Sequence, residues 1–306
     1  MVKWNLVTAC PGGDKLTSMC ELGGVLYVAA LGNLYTWDGV SFTAIATAGI
    51  SFGWIFSANG EVYLYDTTDI FKLVAGVWVV IPGFAGSILW AAGVHAGKLY
   101  ALSGSGPYVM QYDGVSVTNY NTSAVFRGNF VSYAGTLYFI TDTGALYSCP
   151  GGGGAVVLKC AAVHQSESVY QNAAPVAFEF GGLLYYVNIK RTSDTSALGR
   201  VFTWDGVAGA WTAAVPYALP IGFLTISDFD GGVYLSAIGQ AKIFQYAAGA
   251  LTSFGVEPII TNTLKLGSRL LGIDGPTVAP TGAQAGALWE MVDVPAGGIF
   301  PFGGLS

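Results

Sequence analysis

Short apolar runs separated by glycine-containing pairs make up most of the chain, and one pattern among them recurs regularly. It reads Gly-x-(Leu/Val)-Tyr and occurs six times, with its last residue at Tyr27, Tyr63, Tyr100, Tyr138, Tyr185 and Tyr234. Successive tyrosines are 36, 37, 38, 47 and 49 residues apart. A degenerate seventh copy, Gly267-Ser268-Arg269-Leu270, ends after another 36 residues. A period of about 40 residues predicts one supersecondary unit per repeat.

A second pattern follows the first in each repeat and joins an aromatic residue to Asp-Gly. It reads Leu-Tyr-Thr-Trp-Asp-Gly at residues 34–39 and returns at residues 109–114 and 202–206. Variants occupy residues 70–73, 146–149, 243–246 and 288–291. Each leads into another β-branched or aromatic run, for example residues 41–43, 77–79, 115–117 and 156–158. These runs have the composition of strands.

Each repeat therefore predicts four short strands, A to D. Strand A precedes the Gly-x-Leu-Tyr turn, B carries the tyrosine, C carries the aromatic-Asp-Gly pattern and D follows it. Glycine supplies the positive φ that tight hairpins need, and alternating apolar residues suit sheets stacked face to face. The sequence lacks the 3.6-residue periodicity of helical repeats. We expect an all-β fold: a seven-bladed β-propeller of four-stranded antiparallel blades, forming a single domain over residues 1–296.

The ends of the chain predict how the ring closes. Residues 4–7, Trp-Asn-Leu-Val, have the composition of a D strand, but no A, B or C strand precedes them. The last repeat supplies A, B and C strands around residues 263–266, 270–271 and 288–289. We expect residues 3–9 to complete the last blade, which leaves no free edge at the seam. The alternative is an eighth, partial blade formed after Val292.

The blade pattern resembles those of the kelch and WD-type propeller families over nearly all 306 residues. It departs from them because a Gly-Gly pair is not present in every blade and the hydrogen-bonding His and Asp set of WD repeats is missing. The chain is also similar, in its glycine content and low charge, to propellers that phages carry on tails and capsids. That resemblance implies a structural role in a virion.

Composition narrows the choice of partners. Charged residues are 10% of the chain, hydrophobic residues are 53%, and the net charge is −6. So little surface charge favours packing into an assembly or binding neutral ligands. Nucleic-acid binding needs clustered cations, and no run is longer than Lys190-Arg191, so we expect no nucleic-acid partner.

Two segments bear on location. The N-terminus has no apolar segment typical of a secretory signal, so we expect no signal peptide and a virion or cytoplasmic location. Residues 73–97 contain no Asp, Glu, Lys or Arg and are long enough to span a bilayer. However, Pro82-Gly83 and Gly86-Ser87 interrupt them, and the valines around Trp78 favour strand, so we expect no membrane span.

Candidate chemistry is sparse. His95 and His164 lie in different repeats, so we expect no Ser-His-Asp or Cys-His arrangement. Residues 228–232, Asp-Phe-Asp-Gly-Gly, lack the later glutamate of a calcium loop and suit an A–B turn. We therefore expect no catalytic residues, no metal site and no cofactor, although a glycosidase with paired carboxylates stays open. Cys149 and Cys160 either face each other across a hairpin or remain buried thiols.

Candidate binding segments lie in the long B–C and D–A connections, because binding tends to reside on long loops of a rigid scaffold. The predicted B–C loop of repeat five, residues 188–200, contains Lys190, Arg191, Asp194 and Arg200, which we take as a candidate partner-binding loop. Residues 274–286 and 164–168 belong to the same face. The A–B and C–D turns of the opposite face are short and are expected to be structural. The alternative is that the long loops are insertions without a partner.

The last ten residues, 297–306, form an apolar tail beyond the last expected strand. Ile299, Phe300 and Phe302 are candidate docking residues, since exposed large apolar groups mark interfaces. They either insert into a neighbouring subunit or pack on their own propeller.

Three functions follow from these patterns. The first is a non-enzymatic structural or adaptor propeller that contacts other protein subunits of a large assembly, such as a phage tail or capsid. The second is a lectin-like propeller whose Tyr and Trp side chains stack on neutral sugars. The third is a hydrolase or lyase on the long-loop face.

Overall fold

The structure, a computed structural model, describes residues 3–11, 16–30, 33–47, 54–66, 68–84, 89–103, 106, 108–121, 129–141, 144–149, 156–161, 176–191, 197–207, 209–217, 224–229, 232–237, 242–247, 250–255, 260–274 and 286–292. By its contacts the chain divides into two compact units, residues 1–55 with 222–306, and residues 56–221.

The first unit contains three four-stranded antiparallel sheets, numbered here in the order of their repeats. Sheet 1 consists of β2 (Leu16–Leu22), β3 (Val25–Ala30), β4 (Asn33–Trp37) and β5 (Phe42–Thr47). Sheet 6 consists of β22 (Leu224–Phe229), β23 (Gly232–Ala237), β24 (Lys242–Ala247) and β25 (Ala250–Gly255). Sheet 7 consists of β26 (Ile260–Leu266), β27 (Arg269–Asp274), β28 (Ala287–Val292) and β1 (Lys3–Ala9).

The second unit contains four such sheets, with β6 starting two residues before its boundary. Sheet 2 consists of β6 (Trp54–Ala58), β7 (Glu61–Tyr65), β8 (Ile70–Val74) and β9 (Val77–Val80). Sheet 3 consists of β10 (Leu89–His95), β11 (Lys98–Ser103), β12 (Tyr108–Tyr112) and β13 (Val117–Asn121). Sheet 4 consists of β14 (Phe130–Tyr133), β15 (Thr136–Ile140), β16 (Leu146–Ser148) and β17 (Val157–Cys160). Sheet 5 consists of β18 (Val176–Phe180), β19 (Leu183–Arg191), β20 (Ala197–Trp204) and β21 (Thr212–Tyr217).

The predicted all-β fold of four-stranded antiparallel sheets is confirmed within these residues. In each sheet the strands follow the order A, B, C, D, and two-residue turns join A to B in sheets 1 to 5 and in sheet 7. Among the described residues, no helix is long or apolar enough to cross a membrane. The helical interpretation of residues 73–97 is not seen, because β8, β9 and β10 occupy most of that segment.

The N-terminal strand lies in sheet 7. β1 pairs antiparallel with β28, and Leu6 lies opposite Trp289 in the register. This is the position expected for residues 3–9, beside the C strand of the last repeat. Sheet 7 is therefore assembled from the two ends of the described chain, and β1 fills its D position.

The seventh repeat differs by one residue from the sequence alignment. Gly267 and Ser268 form the A–B turn, and Leu266 lies opposite Arg269. Gly267 is therefore the first turn residue, whereas the glycine of the Gly-x-Leu-Tyr pattern is the second. As a result Leu271, and not Leu270, takes the position of the repeated tyrosine.

Sheet 4 shows how the apolar pattern builds the core. Along β15, Leu137 and Phe139 belong to the apolar cluster shared with sheet 3, and Tyr138 and Ile140 belong to the cluster shared with sheet 5. All four side chains are buried. Successive residues of a strand point to opposite faces, so both faces of this sheet are covered. That is why the B strand is continuously apolar.

The four cysteines are buried thiols that form no disulfide. Cys149 lies in the cluster between sheets 3 and 4, and Cys160 lies in the cluster between sheets 4 and 5. They are therefore on opposite faces of sheet 4, and the hairpin disulfide that the sequence left open is not formed. Burial raises the pKa of Cys20 and of Cys149 to about 12, which keeps these thiols protonated and unreactive.

Candidate functional site

The A–B and C–D turns lie at one end of each sheet, which we call its turn edge. The A–B turns need positive φ at both central residues, as in type I′ hairpins. Asn59 and Gly60 have φ of 52° and 77°, and Ala96 and Gly97 have φ of 49° and 77°. These turns fix the strands that carry the polar groups described next.

Three C–D turns share the sequence Asp-Gly-Val and a side-chain cap. Asp38 Oδ1 accepts hydrogen bonds from the backbone N–H groups of Val40 and Ser41, both at 2.8 Å. Asp113 Oδ1 accepts the corresponding bonds from Val115 and Ser116 at 2.9 Å. These backbone donors lower the pKa of both aspartates. An ionised carboxylate that holds two N–H groups makes the turn rigid.

The valine of each Asp-Gly-Val turn extends into solvent. Val40, Val115 and Val207 are 82%, 86% and 88% exposed. Val115 was expected to belong to a D strand, but that strand begins at Val117. The turn edge was expected to be structural only. It presents one apolar side chain at an equivalent position of sheets 1, 3 and 5.

A pocket of about 240 Å³ lies between sheets 2 and 3 at the turn edge. We call it the junction pocket. Its lining comes from both sheets: Asn59, Glu61, Tyr63, Lys72, Ile81, Val94, Gly97, Leu99, Tyr112 and Gly114. The apolar side chains come from the core between the two sheets. Glu61, Tyr63 and Lys72 come from β7 and β8, whereas Asn59 lies in the A–B turn of sheet 2 and Tyr112 on β12.

An ion pair forms the polar wall of the junction pocket. Lys72 on β8 contacts Glu61 on β7, and the Tyr63 hydroxyl donates a hydrogen bond to Glu61 Oε2 at 2.7 Å. The Lys72 ammonium, followed by the Tyr63 hydroxyl, holds the pKa of the Glu61 carboxyl below its ordinary value. Burial raises the pKa of Tyr63, so its hydroxyl remains a protonated donor. The wall therefore carries both charges and no net charge.

These groups suit recognition better than catalysis. Glu61 is the one carboxylate that lines the pocket, whereas glycoside hydrolysis uses a pair. Tyr63 is held as a donor to that carboxylate and is not available as a base. In the described part of the chain, no three His, Cys, Asp or Glu side chains are grouped closely enough to hold a metal ion.

The predicted partner-binding loop is shorter than expected. Lys190 and Arg191 are the last residues of β19, Arg200 lies within β20, and the pairing of the two strands reaches Arg191 and Ala197. The prediction of a loop over residues 188–200 is therefore wrong at both ends, because polar residues there pair across an extended hairpin. Asp194 lies outside the described residues. A binding role for these four residues stays a prediction.

Of the other candidate residues, some lie outside the described residues and one, His95, lies within them. Ile299, Phe300 and Phe302 of the apolar tail lie outside the described residues, and so does His164. His95 Nδ1 lies 3.2 Å from Ser132 Oγ and links sheet 3 to sheet 4. This contact agrees with a structural role for His95.

Sequence reasoning missed the junction pocket and the exposed valines. The Asp-Gly-Val repeat was visible, but its valine was counted as part of a strand. Lys72 was also visible, as the one cation paired opposite a repeated tyrosine. A pocket between two sheets depends on residues far apart in sequence, so neither signal located it.

Comparison with known proteins places the fold. No protein family matches the sequence, and no curated protein does. Among solved structures, the extracellular domain of a hybrid two-component system from B. thetaiotaomicron aligns with a TM-score of 0.67 at 11% identity, over 94% of this chain and 40% of that one. YCF48 bound to a D1 peptide aligns with a TM-score of 0.60 at 12% identity, over 96% of this chain and 97% of that one. BamB from Moraxella catarrhalis aligns with a TM-score of 0.57 at 12% identity, over 90% of this chain and 83% of that one.

These similarities show the fold alone. The chain shares the all-β architecture of β-propeller proteins, and it spans about 40% of the length of the first protein named. The three names give no support to the resemblance to phage propellers.

Proposed function

We propose that the sheets close into a ring of seven blades, and that this propeller is a non-enzymatic adaptor for other protein subunits of a large assembly. Two observations support closure. The propeller structures named above align over 90% or more of the chain. In addition, β1 completes sheet 7, so the last blade needs both ends of the chain.

The observation that carries the adaptor function is the set of exposed valines at the Asp-Gly-Val turns. In a closed ring every C–D turn lies on the same face, so Val40, Val115 and Val207 share that face. Each side chain is more than four-fifths exposed, and burying a valine contributes roughly 1.5 kcal/mol. The capped turns hold these side chains in place before binding, which lowers the entropy lost when a partner covers them.

A virion is the assembly that we favour, in a tail or on a capsid. Its support is compositional: only 10% of the residues are charged, and glycine occurs 44 times. One of the solved propellers, YCF48, is bound to a peptide, which shows that a ring of this fold can hold a protein segment. This location distinguishes our proposal from a general protein-binding domain.

Photo-cross-linking in the source assembly tests the adaptor function. A photoreactive amino acid placed at residue 40, 115 or 207 is expected to cross-link to another subunit of the assembly. The matched control is residue 79, where Val79 is 49% exposed on the outer strand β9. We expect the control position to give no cross-link to that subunit.

A variant with Val40→Ser, Val115→Ser and Val207→Ser adds an independent test. The three side chains contact little of the fold, so its thermal unfolding is expected to match that of the wild type. Incorporation into the assembly is expected to fall. Wild-type incorporation, together with no cross-link from the turns, would contradict the proposal.

A carbohydrate-binding propeller is the second candidate. Many of the described aromatic side chains cannot stack on a sugar, because residues such as Tyr100, Tyr186 and Tyr234 are completely buried. The observation that supports carbohydrate binding is the junction pocket, where Tyr112 and an ion pair without net charge line a small cavity.

A further inference from the structure

One repeat position carries a smaller side chain in sheet 2 than in any other sheet. It is the residue just before the A–B turn, and it is large in all repeats except the second: Leu22, Ala58, His95, Tyr133, Phe180, Phe229 and Leu266. Ala58 is the small member, and its sheet, sheet 2, forms one side of the junction pocket. At two other junctions between sheets, larger side chains fill the corresponding space.

At the junction of sheets 4 and 5 the equivalent residue fills the space. The Tyr133 hydroxyl donates a hydrogen bond to the Gly182 carbonyl oxygen at 2.9 Å, and its ring lies 5.9 Å from the Trp204 ring. A Cβ at Gly206 would lie 3.3 Å from Tyr133 Cε1. Tyr133 therefore occupies the space bounded by Gly182, Trp204 and Gly206.

The residues at the same repeat positions bound the junction pocket. Gly97, Tyr112 and Gly114 take the places of Gly182, Trp204 and Gly206, and all three line the cavity. Ala58 takes the place of Tyr133, and its side chain lacks the six further carbons and the hydroxyl of tyrosine. The junction pocket is therefore the space that a tyrosine fills two blades further along the chain.

The junction of sheets 7 and 1, within the first unit, is filled by a different residue. Arg269 lies with its guanidinium carbon 4.9 Å from the centre of the Trp37 ring and forms a two-pronged ion pair with Glu290, both contacts being 2.6 Å. Arg269 and Glu290 occupy the repeat positions of Glu61 and Lys72, with the charges exchanged. Since Leu271 lies opposite Glu290 as Tyr63 lies opposite Lys72, the two pairs are equivalent.

We infer that the junction pocket is a binding site for one neutral monosaccharide unit. Glu61 and Lys72 cancel each other's charge, so the site offers no net attraction to an anion or a cation. An ammonium has three donors and a carboxylate has about four acceptor positions. The contacts with each other and with Tyr63 leave donors and acceptors side by side, which matches neighbouring sugar hydroxyls.

Size and the remaining walls support the same ligand class. The cavity of about 240 Å³ corresponds to about eight water molecules at ~30 Å³ each, so it has room for one sugar ring. Val94 and Tyr112, which are both half-buried, supply apolar surface for the C–H face of a ring. The side chains of Lys72 and Glu61 are 36% and 34% exposed, so a ligand can reach them.

This inference develops the second candidate function and does not depend on the adaptor proposal. NMR titration of the purified chain with a panel of neutral monosaccharides tests it. We expect saturable shift changes at the pocket residues for at least one sugar. The Val40, Val115 and Val207 triple variant is expected to bind that sugar as the wild type does, which separates the two proposals.

A variant whose new side chain fills the pocket gives the most specific test of the binding site. Ala58→Tyr copies the residue of sheet 4 and is expected to abolish binding, whereas Ala44→Tyr on the exposed strand β5 is the matched control and is expected to bind normally. Glu61→Gln keeps the shape and is expected to weaken binding about 10-fold or more, because hydrogen bonds to charged groups are the strong ones. It keeps the test valid if Ala58→Tyr fails to fold.

Three results would overturn the inference: no saturable binding to any neutral sugar, binding restricted to charged sugars, or full binding by Ala58→Tyr. Methyl glycosides distinguish two sources of the same ligand. If they bind as well as free sugars, the site takes the end of a glycan. If methylation removes binding, it takes a free sugar.

Discussion

Three alanines in left-handed backbone conformations strain the fold, and removing them is expected to raise its free energy of unfolding measurably. Ala75, Ala96 and Ala134 have φ of 50°, 49° and 47° at tight turns of sheets 2, 3 and 4. At the same first turn position, sheets 1 and 5 have Gly23 and Gly181, with φ of 63° and 60°. A side chain with a Cβ costs about 1–2 kcal/mol in this region. Replacing the three alanines by glycine is therefore expected to stabilise the protein.

The expected gain follows from two opposing effects. Glycine removes the strain of about 1–2 kcal/mol per site, but it loses about 0.5–1 kcal/mol because its unfolded chain is more flexible. The net gain is about 0.5–1 kcal/mol per turn. Because the three turns belong to different sheets, the effects are expected to add to about 1.5–3 kcal/mol.

Urea unfolding measures this gain. The midpoint of the triple Ala→Gly variant is expected to rise without a change in slope, since the surface exposed on unfolding is the same. Ala44→Gly, in the exposed strand β5, is the control and is expected to lower stability by about 0.5–1 kcal/mol.

The reverse change at a neighbouring position gives a second check. A Cβ added at Gly97, where φ is +77°, would meet no atom within 4 Å. Gly97→Ala is therefore expected to cost about 0.5–1 kcal/mol, which is the backbone strain less the gain from a stiffer unfolded chain. An unchanged or lower midpoint for the triple variant would refute the reasoning about these turns.

Two further predictions concern the core. Asn129 accepts a hydrogen bond from the Ala177 N–H at 2.8 Å and donates one to its carbonyl oxygen at 2.7 Å, so Asn129→Leu is expected to cost about 2–4 kcal/mol in urea unfolding, while Asn119→Leu on the exposed face of β13 stays near neutral. Burial raises the pKa of Cys20 and Cys149 from 9.0 to about 12, so their contribution to stability is complete below pH 9 and is lost as the pH rises toward 12. Replacing Cys149 by Ala is expected to flatten the fall in the urea midpoint over that range, and an unaltered fall contradicts the assignment.

The sequence predicted the sheets well because their signals are local. Tyr27 and Tyr100 mark B strands, and Asp38 and Asp113 mark C–D turns, because hairpin geometry and strand periodicity act over a few residues. Leu6 and its neighbours were placed beside the last C strand because no other strand was left to pair with them. The all-β architecture follows from these features alone.

The predictions were wrong where the same local sequence pattern fits two different structures. The Gly267-Ser268 turn places its glycine first, so counting from the glycine shifted the seventh repeat by one residue. Residues 188–200 contain two Ser, two Thr and three cationic residues, which suggested a loop, but the cross-strand pair of Lys190 and Leu198 continues the hairpin. Composition does not determine strand ends when the partner strand is equally long.

The candidate site could be predicted only in part, because it lies between sheets. Glu61 and Lys72 approach each other through the register of β7 and β8, and the cavity beside them depends on residues of sheet 3. Besides Lys72, the sequence signal for the cavity is Ala58, which is small where other repeats have a large side chain. That signal becomes informative only when the packing partner of the position is known.

Closure of the ring is the central claim, since it puts the exposed valines on one face. Small-angle X-ray scattering of the purified chain tests it most directly. A closed ring of 306 residues predicts a compact particle with a radius of gyration of about 19 Å. Sheets stacked about 10 Å apart in an open row would extend to about 70 Å and give a long tail in the distance distribution. The compact distribution is the result we predict, and the extended one would contradict the account.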